Sequence, residues 1–192
     1  MQSTVSEAIQ ILNNGGVGVL ATDTIYGLVA RAVDQQAVER LYRVKPRESK
    51  TGTIIAASAR QLIELGVSRY HVAQVEHLWP NPLSIDLPIS ESLSYLRKGT
   101  NSPAVRVVAD EYIKNILLQT GPLMTTSANS TGMPSSTTIE IANGYFGNTV
   151  DFYVDHGDLS GRLPSTLISI GGAGTITVLR QSDFMPPLNI YN

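Results

Sequence analysis

The chain has 192 residues, a formal net charge of -2, 42% hydrophobic and 16% charged residues, a balance that belongs to folded domains and excludes a disordered chain. It has no cysteine, which excludes a disulfide framework, a thiolate nucleophile and a Cys-ligated metal, and fits a reducing compartment. No apolar run approaches the ~18 residues of a membrane span, the first residues lack a basic-then-apolar leader pattern, and the acidic balance speaks against a DNA-coating surface while permitting a local basic patch, so a cytoplasmic protein is expected.

In chain order, Thr4 and Glu7 have capping-box spacing ahead of Val5, Ala8, Ile9 and Leu12, which share one helical face, and Asn13 to Gly16 supply the stop. Val17 to Ala21 is a continuous apolar run, the pattern of a strand covered on both faces. The polar stretch Thr22-Asp23-Thr24-Ile25-Tyr26-Gly27-Leu28 follows at its end. Such a density of polar groups fits either a substrate-facing turn or a hydroxyl-rich turn serving only its own backbone. Leu28 to Ala30 reads as a strand, and Asp34 as the N-cap of a helix burying Ala37, Val38 and Leu41. Pro46 disfavours helix at Lys45, so the basic residues of Lys45-Pro46-Arg47-Glu48-Ser49-Lys50 are expected to project from an irregular loop.

Thr53 to Ala57 reads as a strand, Ser58 with Gln61 as the cap of a helix through Leu65, and Arg69 to Leu78 as a further helix. Trp79-Pro80-Asn81-Pro82 is a rigid turn, after which Leu83, Ile85, Leu87 and Ile89 alternate with Ser84, Asp86 and Pro88. That alternation predicts a half-exposed strand, placed near an edge by Pro88. Residues 91–102 carry no periodic pattern and read as a mobile loop. Ala104 to Val108 is a strand with one charge, Arg106, in an apolar setting. Asp110 caps a helix ended by Thr120-Gly121-Pro122, Leu123 to Thr126 is a strand, and Thr138 begins a helix through Phe146. Strands are expected over Val150 to Val154, Thr166 to Ile170 and Thr175 to Leu179, with 181–192 as a surface tail. Helices and strands interleave without repeats, so the expected class is α/β: a three-layer single domain over 1–192 on a twisted mixed β-sheet with an open cleft.

Four polar clusters fall at strand ends or loops: 22–28, 45–50, 127–136 and 161–166. Ligands of open α/β sheets bind at such places. Lys45, Arg47 and Lys50 around a proline suit phosphate oxygens, Arg as a fork and Lys as a point charge, although a solvated loop screened by Glu48 has the same composition. Ser127-Ala128-Asn129 and the serines after it offer small donors and acceptors beside a Gly turn. The chain lacks a P-loop and a Gly-x-Ser-x-Gly elbow, and His71, His77 and His156 are not spaced as a zinc motif.

Taken in order, these clusters resemble the YrdC family of threonylcarbamoyl-AMP synthases, which make the activated intermediate for t6A modification of tRNA. Ala21 to Leu28 is similar to the family's Pro-Thr-Asp/Glu-Thr-Val-Tyr-Gly-Leu, Lys45-Pro46-Arg47 to its Lys-x-Arg, and Trp79 to Pro82 to its Trp-Pro-Gly-Pro. Ala104 to Val107 matches its Ala-Val-Arg-Val, Ser127-Ala128-Asn129 its Ser-x-Asn, and Thr131 to Pro134 its Ser-Gly-x-Pro. The resemblance implies formation of threonylcarbamoyl-AMP and pyrophosphate from L-threonine, bicarbonate and ATP, with Mg²⁺. It implies Lys45 and Arg47 as catalytic groups at the phosphates, and Ser127, Asn129, Ser135 and Arg180 with them as nucleotide contacts. Thr22, Arg106, Thr125 and Ser165 become candidates for the threonine and bicarbonate end.

Implied partners are other proteins of tRNA t6A modification and RNA or tRNA itself. The chain departs from the pattern at Ala21, at Asn81, and at Ala56, where many longer relatives carry a His; it resembles the short form without an extra C-terminal domain. Two rivals share the motifs. One is a carbamoyl-adenylate-forming enzyme, whose other modules are not seen here. The other is a noncatalytic double-stranded-RNA-binding or tRNA-binding module using Arg43, Lys45, Arg47, Lys50, Arg97 and Lys98.

Overall fold

In the computed structural model the described residues are 2–46, 51–98, 100, 102–171, 174–187 and 189. The capping box at Thr4 opens α1 (Val5–Asn13): Glu7 N–H donates to Thr4 Oγ1 at 3.3 Å and Thr4 N–H donates to Glu7 Oε2 at 2.7 Å, so two orphan donors of the first turn are satisfied reciprocally. Asp34, Ser58, Asp110 and Thr138 each accept from the N–H three residues on, and so begin α2 (Gln35–Val44), α3 (Ala59–Leu65), α5 (Glu111–Thr120) and α6 (Ile139–Phe146). Each cap contributes about 1 kcal/mol. The helix expected over Arg69 to Leu78 is α4 (Arg69–Val75) followed by a 3₁₀ turn over Glu76–Leu78.

Among the described residues nine strands form one sheet: β1 (Gly18–Ala21), β2 (Tyr26–Arg31), β3 (Thr53–Ala56), β4 (Leu83–Asp86), β5 (Ala104–Val107), β6 (Leu123–Ser127), β7 (Phe152–Tyr153), β8 (Thr166–Ile170) and β9 (Ile176–Arg180), in the order β7-β1-β2-β6-β3-β5-β4-β8-β9. The sheet is mixed, with β1–β7, β3–β5 and β4–β8 parallel and the other neighbours antiparallel.

Alternation along the strands divides the core. Val19, Tyr26, Leu28, Ile54, Met124, Val105 and Ile85 point to a layer holding Leu41 of α2, Leu62 of α3, Val72 of α4 and Phe146 of α6. Leu20, Val29, Ile55, Leu123 and Phe152 point the other way, onto Leu12 of α1 and Ile116 and Leu117 of α5. The result is three layers, and it explains why strands such as Gly18–Ala21 are apolar throughout.

The second helical layer is incomplete. On its face, Thr125 continues from Leu123, Arg106 lies opposite Ile55 in the parallel pair, Thr53 lies opposite Ala104, and Asp86 is paired to Ala104. Beyond Ile55 the residues on this face change from aliphatic to polar where α1 and α5 end. That uncovered half of the face is the floor of the cleft.

Several expectations are corrected. The strand beginning at Leu83 is interior, between β5 and β8, because Pro88 falls past its end at Asp86, and Ser84 on its supposed exposed face is fully buried. The stretch 91–102 contains a 3₁₀ helix, Glu91–Leu96, tied down by fully buried Leu96, by Tyr95 Oη donating to Ala32 O at 2.7 Å, and by an Arg97–Glu91 ion pair. The strand expected over Val150 to Val154 shortens to Phe152–Tyr153. In the tail, Phe184 packs on the core and its carbonyl accepts from Thr166 Oγ1 at 2.7 Å. Among the described residues no helix is long and apolar enough to cross a membrane.

Candidate active site

The stretch 22–25 is the tip of the β1–β2 hairpin, closed by the Ala21–Tyr26 pair. Thr22 organises it. Its N–H donates to Ile25 O at 3.1 Å, its hydroxyl donates to the same carbonyl at 2.7 Å, and that hydroxyl accepts from the Thr24 and Ile25 N–H groups at 3.2 and 3.3 Å. The hydroxyl-rich turn thus serves its own backbone and also walls the cleft. Tyr26, at the start of β2, is held from behind: its hydroxyl donates to Gly157 O at 2.8 Å and accepts from His156 N–H at 2.9 Å. Burial first, and the nearby Asp155 carboxylate, raise its pKa against the opposing His156 bond. The His156 ring lies on Tyr112, with centroids 4.2 Å apart.

Asp23, whose role the sequence left open between ligand contact and turn, is the counter-ion of Arg106. Arg106 Nη2 donates to Asp23 Oδ1 at 2.7 Å, with side-chain exposures of 4% and 6%. Arg106 also reaches Thr24 Oγ1 and Ser84 Oγ, both at 3.4 Å. Ser84 Oγ meets Ser165 Oγ at 2.8 Å, and Arg180 closes the series by donating to Ser165 O at 2.9 Å and Ser165 Oγ at 3.2 Å. A line of polar groups therefore crosses the cleft floor from the β1–β2 hairpin to β9. It holds two guanidinium groups against one paired carboxylate.

The opposite wall starts at the end of β6. Ser127 Oγ donates to Asn129 Oδ1 at 2.6 Å, and Asn129 Nδ2 donates to Met133 O. Lys45 lies beneath this wall. It is only 4% exposed, and its ammonium donates to Ser127 O at 2.6 Å, Asn129 Oδ1 at 2.7 Å and Ser127 Oγ at 3.1 Å. This corrects the sequence expectation. The backbone at Lys45 does leave helical geometry, as Pro46 requires, but the side chain folds inward to the Ser-x-Asn segment because three oxygens converge there. Arg47, with residues 48–50, lies outside the described residues.

Between these walls is a cavity of about 570 Å³, in the size range of small-molecule sites. It brings together Thr22, Arg106, Thr125, Ser127, Ser135, Ser165 and Arg180, from segments spread over the chain. Lys45 and Asn129 are behind the wall and reach the cavity through Ser127. The polar lining residues outside the clusters and candidates singled out in the sequence include Thr51, Thr53, Asp86, Thr100 and Ser102. The available signal for Asp86 was its position as the only charge in an otherwise apolar and hydroxyl-bearing strand. Burial raises its carboxyl to about 6 from the usual 3.8. Ala56 is fully buried in the core cluster on the far side of the sheet and contributes nothing to the cleft.

For a metal, the fit is limited. Among the described residues no group of three or more His, Asp and Glu side chains could hold an ion, and Asp86 is the one carboxylate lining the cavity. A single carboxylate with neighbouring hydroxyls suits a Mg²⁺ that arrives on nucleotide phosphates rather than a resident ion. Guanidinium groups and hydroxyl donors on one side of a half-open cleft suit phosphate and carboxylate oxygens.

The Sua5/YciO/YrdC family model, described as "Telomere recombination", matches residues 10–182. A Vibrio cholerae protein named threonylcarbamoyl-AMP synthase is 33% identical over 184 residues, 92% of this chain and 96% of the relative. The crystal structure of Pyrococcus abyssi Sua5 complexed with L-threonine superposes with a TM-score of 0.81 at 27% identity, covering 92% of this chain and 53% of that one, so the chain spans about half of the archaeal protein. Escherichia coli YciO, at 22% identity and TM-score 0.78 over 92% of this chain and 88% of its own, has the same fold.

Proposed function

The chain belongs to the Sua5/YciO/YrdC family, and from that premise we propose that it is an L-threonylcarbamoyladenylate synthase, a nucleotidyltransferase that forms threonylcarbamoyl-AMP and pyrophosphate from L-threonine, bicarbonate and ATP. The observation that carries this reading is the single cavity in which the hairpin hydroxyls, Arg106, the end of β6 and Arg180 converge. Its relatives are enzymes by name, and the V. cholerae protein is aligned over nearly the whole of both chains.

The chemistry has two steps. Threonine's ammonium group first loses its proton to solvent; the neutral amine then captures carbon dioxide with loss of a second proton, or bicarbonate with loss of water, giving a carbamate. A carbamate oxygen then attacks the α-phosphorus of ATP, and the bond to pyrophosphate breaks. Negative charge grows on phosphoryl oxygens, so fixed cationic donors outside bulk water lower the barrier. Arg180, Ser135 and Ser127 hold the nucleotide, and Lys45, through Ser127 and Asn129, fixes the wall and adds positive charge behind it. Arg47 is the direct phosphate contact that the family motif implies. Thr22, Thr125, Ser165 and Arg106 form the amino-acid and bicarbonate end. Mg²⁺ bound to the ATP phosphates would neutralise charge there, next to the cavity hydroxyls. The product would pass to other proteins of tRNA t6A modification, in the cytoplasm.

The test is purified protein with labelled bicarbonate, L-threonine and ATP. Threonine-dependent release of pyrophosphate is expected. If nucleotide binds but threonine evokes no release, the reading fails.

A further inference from the structure

Among the described residues Asp86 is the only carboxylate lining the cavity between the two walls, and it has no hydrogen-bond or ion-pair partner among them. The contrast with the other aspartates is sharp. Asp23 and Asp151 face arginines, Asp34 and Asp110 cap helices, Asp155 and Asp158 accept from loop N–H groups, and Asp183 is exposed to solvent. Asp86 accepts no hydrogen bond and forms no ion pair although it is half-buried, and burial is the only cause acting on its titration. A carboxylate taken partly out of water without a partner costs free energy, so its retention in a cleft points to a cation that arrives from outside.

Its position defines that cation. Asp86 is register-paired with Ala104 across β4–β5, and Arg106 lies two residues further along β5 on the same face. Diagonal neighbours of this kind lie about 7–8 Å apart, with their Cβ atoms somewhat closer. Arg106 turns its guanidinium towards Asp23, Thr24 and Ser84, away from Asp86, and its buried Nε–H has no acceptor. A negative and a positive group at that spacing, not discharged on one another, match the two ends of an α-amino acid, whose ammonium and carboxylate lie a few ångströms apart. Asp86 also borders a second cavity, of about 640 Å³, that shares Thr100 and Ser102 with the first. The other charged and titratable groups lining the two cavities are Tyr26 from β2, Arg106 from β5, Arg180 from β9, and Tyr70 and His71 from α4. None of them supplies a fixed partner.

We propose that Asp86 is the counter-charge for the α-ammonium group of the amino-acid substrate, and that it selects for amino acids with a free α-amine. This rests on the synthase reading only in taking the amino acid to bind in this cleft. Titration calorimetry of the intact protein compares L-threonine with N-acetyl-L-threonine, which lacks the cation, on the wild type, Asp86→Asn and Asp86→Glu. Asp86→Asn is expected to weaken L-threonine binding at least tenfold, with partial recovery in Asp86→Glu and equally poor binding of the acetylated compound to all three. L-threonine affinity should fall in the wild type below about pH 6 and be flat there in Asp86→Asn.

Unchanged L-threonine affinity in Asp86→Asn, equal wild-type affinity for both compounds, or no wild-type binding of L-threonine overturns the assignment. Threonine binding that depends on Asp86 without pyrophosphate release refutes the synthase reading and leaves this assignment standing. Pyrophosphate release by Asp86→Asn with an unaltered KM for threonine refutes the assignment and leaves the synthase reading standing.

Discussion

The Asp23–Arg106 pair should dominate the stability of the cleft. In Arg106→Met the apolar stem is retained and the guanidinium removed, which leaves the Asp23 carboxylate, with 6% of its side chain exposed, without a counter-ion. Breaking one side of a buried pair costs about 3–5 kcal/mol, because the surviving charge stays desolvated. That is a large share of the ~5–15 kcal/mol that holds a domain folded. At roughly 2–4 °C per kcal/mol for a chain of this size, the thermal midpoint should fall by roughly 6–20 °C. Urea denaturation of the wild type, Arg106→Met, Asp23→Asn and the double variant closes a cycle. The double variant should recover much of the loss, with a coupling of at least ~2 kcal/mol. A single-variant cost below ~1 kcal/mol, or additivity within ~0.5 kcal/mol, would refute the view that this pair is energetically buried.

Lys45→Ala should destabilise the protein as well as impair turnover, by about 1–3 kcal/mol in chemical denaturation, because Ser127 O and Asn129 Oδ1 each lose a charged donor; a fully stable, inactive variant would mean that the ammonium serves only the ligand. Asp86→Asn should be more stable than the wild type at pH 7. A carboxyl raised from 3.8 to about 6 makes the folded state bind the extra proton, so wild-type stability declines as pH rises from about 4 to about 6. At full strength this is ~3 kcal/mol, reduced to ~1 kcal/mol for a half-exposed group, and the advantage of the variant should vanish below pH 4; a pH-independent difference would contradict this account. Gly27→Ala should abolish threonine binding while nucleotide binding survives, since the new Cβ would collide with Thr125 Oγ1; unaltered calorimetry for both ligands would show that the floor can give way.

Much of the secondary structure was legible because local chemistry decided it. Thr4 with Glu7, Asp34, Asp110 and Thr138 cap where they do by bonds to residues three positions away, which spacing reveals. Pro88 misled because a proline past a strand's last residue looks, in one dimension, like one inside it. The order of nine strands was invisible, since it depends on pairings such as Gly27 with Ser127 across 100 residues.

At the site, the ordered motifs identified the segments that meet, but the orientation of side chains did not follow from them. Lys45 reads as solvent-facing from its neighbours Pro46 and Arg47, and only the arrival of β6 shows where its charge goes. Asp86 was hidden by its alternation with Leu83, Ile85 and Leu87, which assigns it a polar face without saying that the face is a ligand's floor.

The place of β6 between β2 and β3 has a consequence for how the protein comes into being. The hairpin carrying Thr22 is complete within the first 31 residues, yet its neighbour in the sheet begins at Leu123. At roughly 5–20 residues per second, a ribosome takes roughly 5–20 s to bridge that gap. During that interval one flank of β2 is an unpaired edge. Strand β9, ending at Arg180, follows later still. Thr22, Thr125 and Arg180 therefore acquire their common cavity only once β9 has been made, and fragments cut before β9 should lack the Arg180 side of the site.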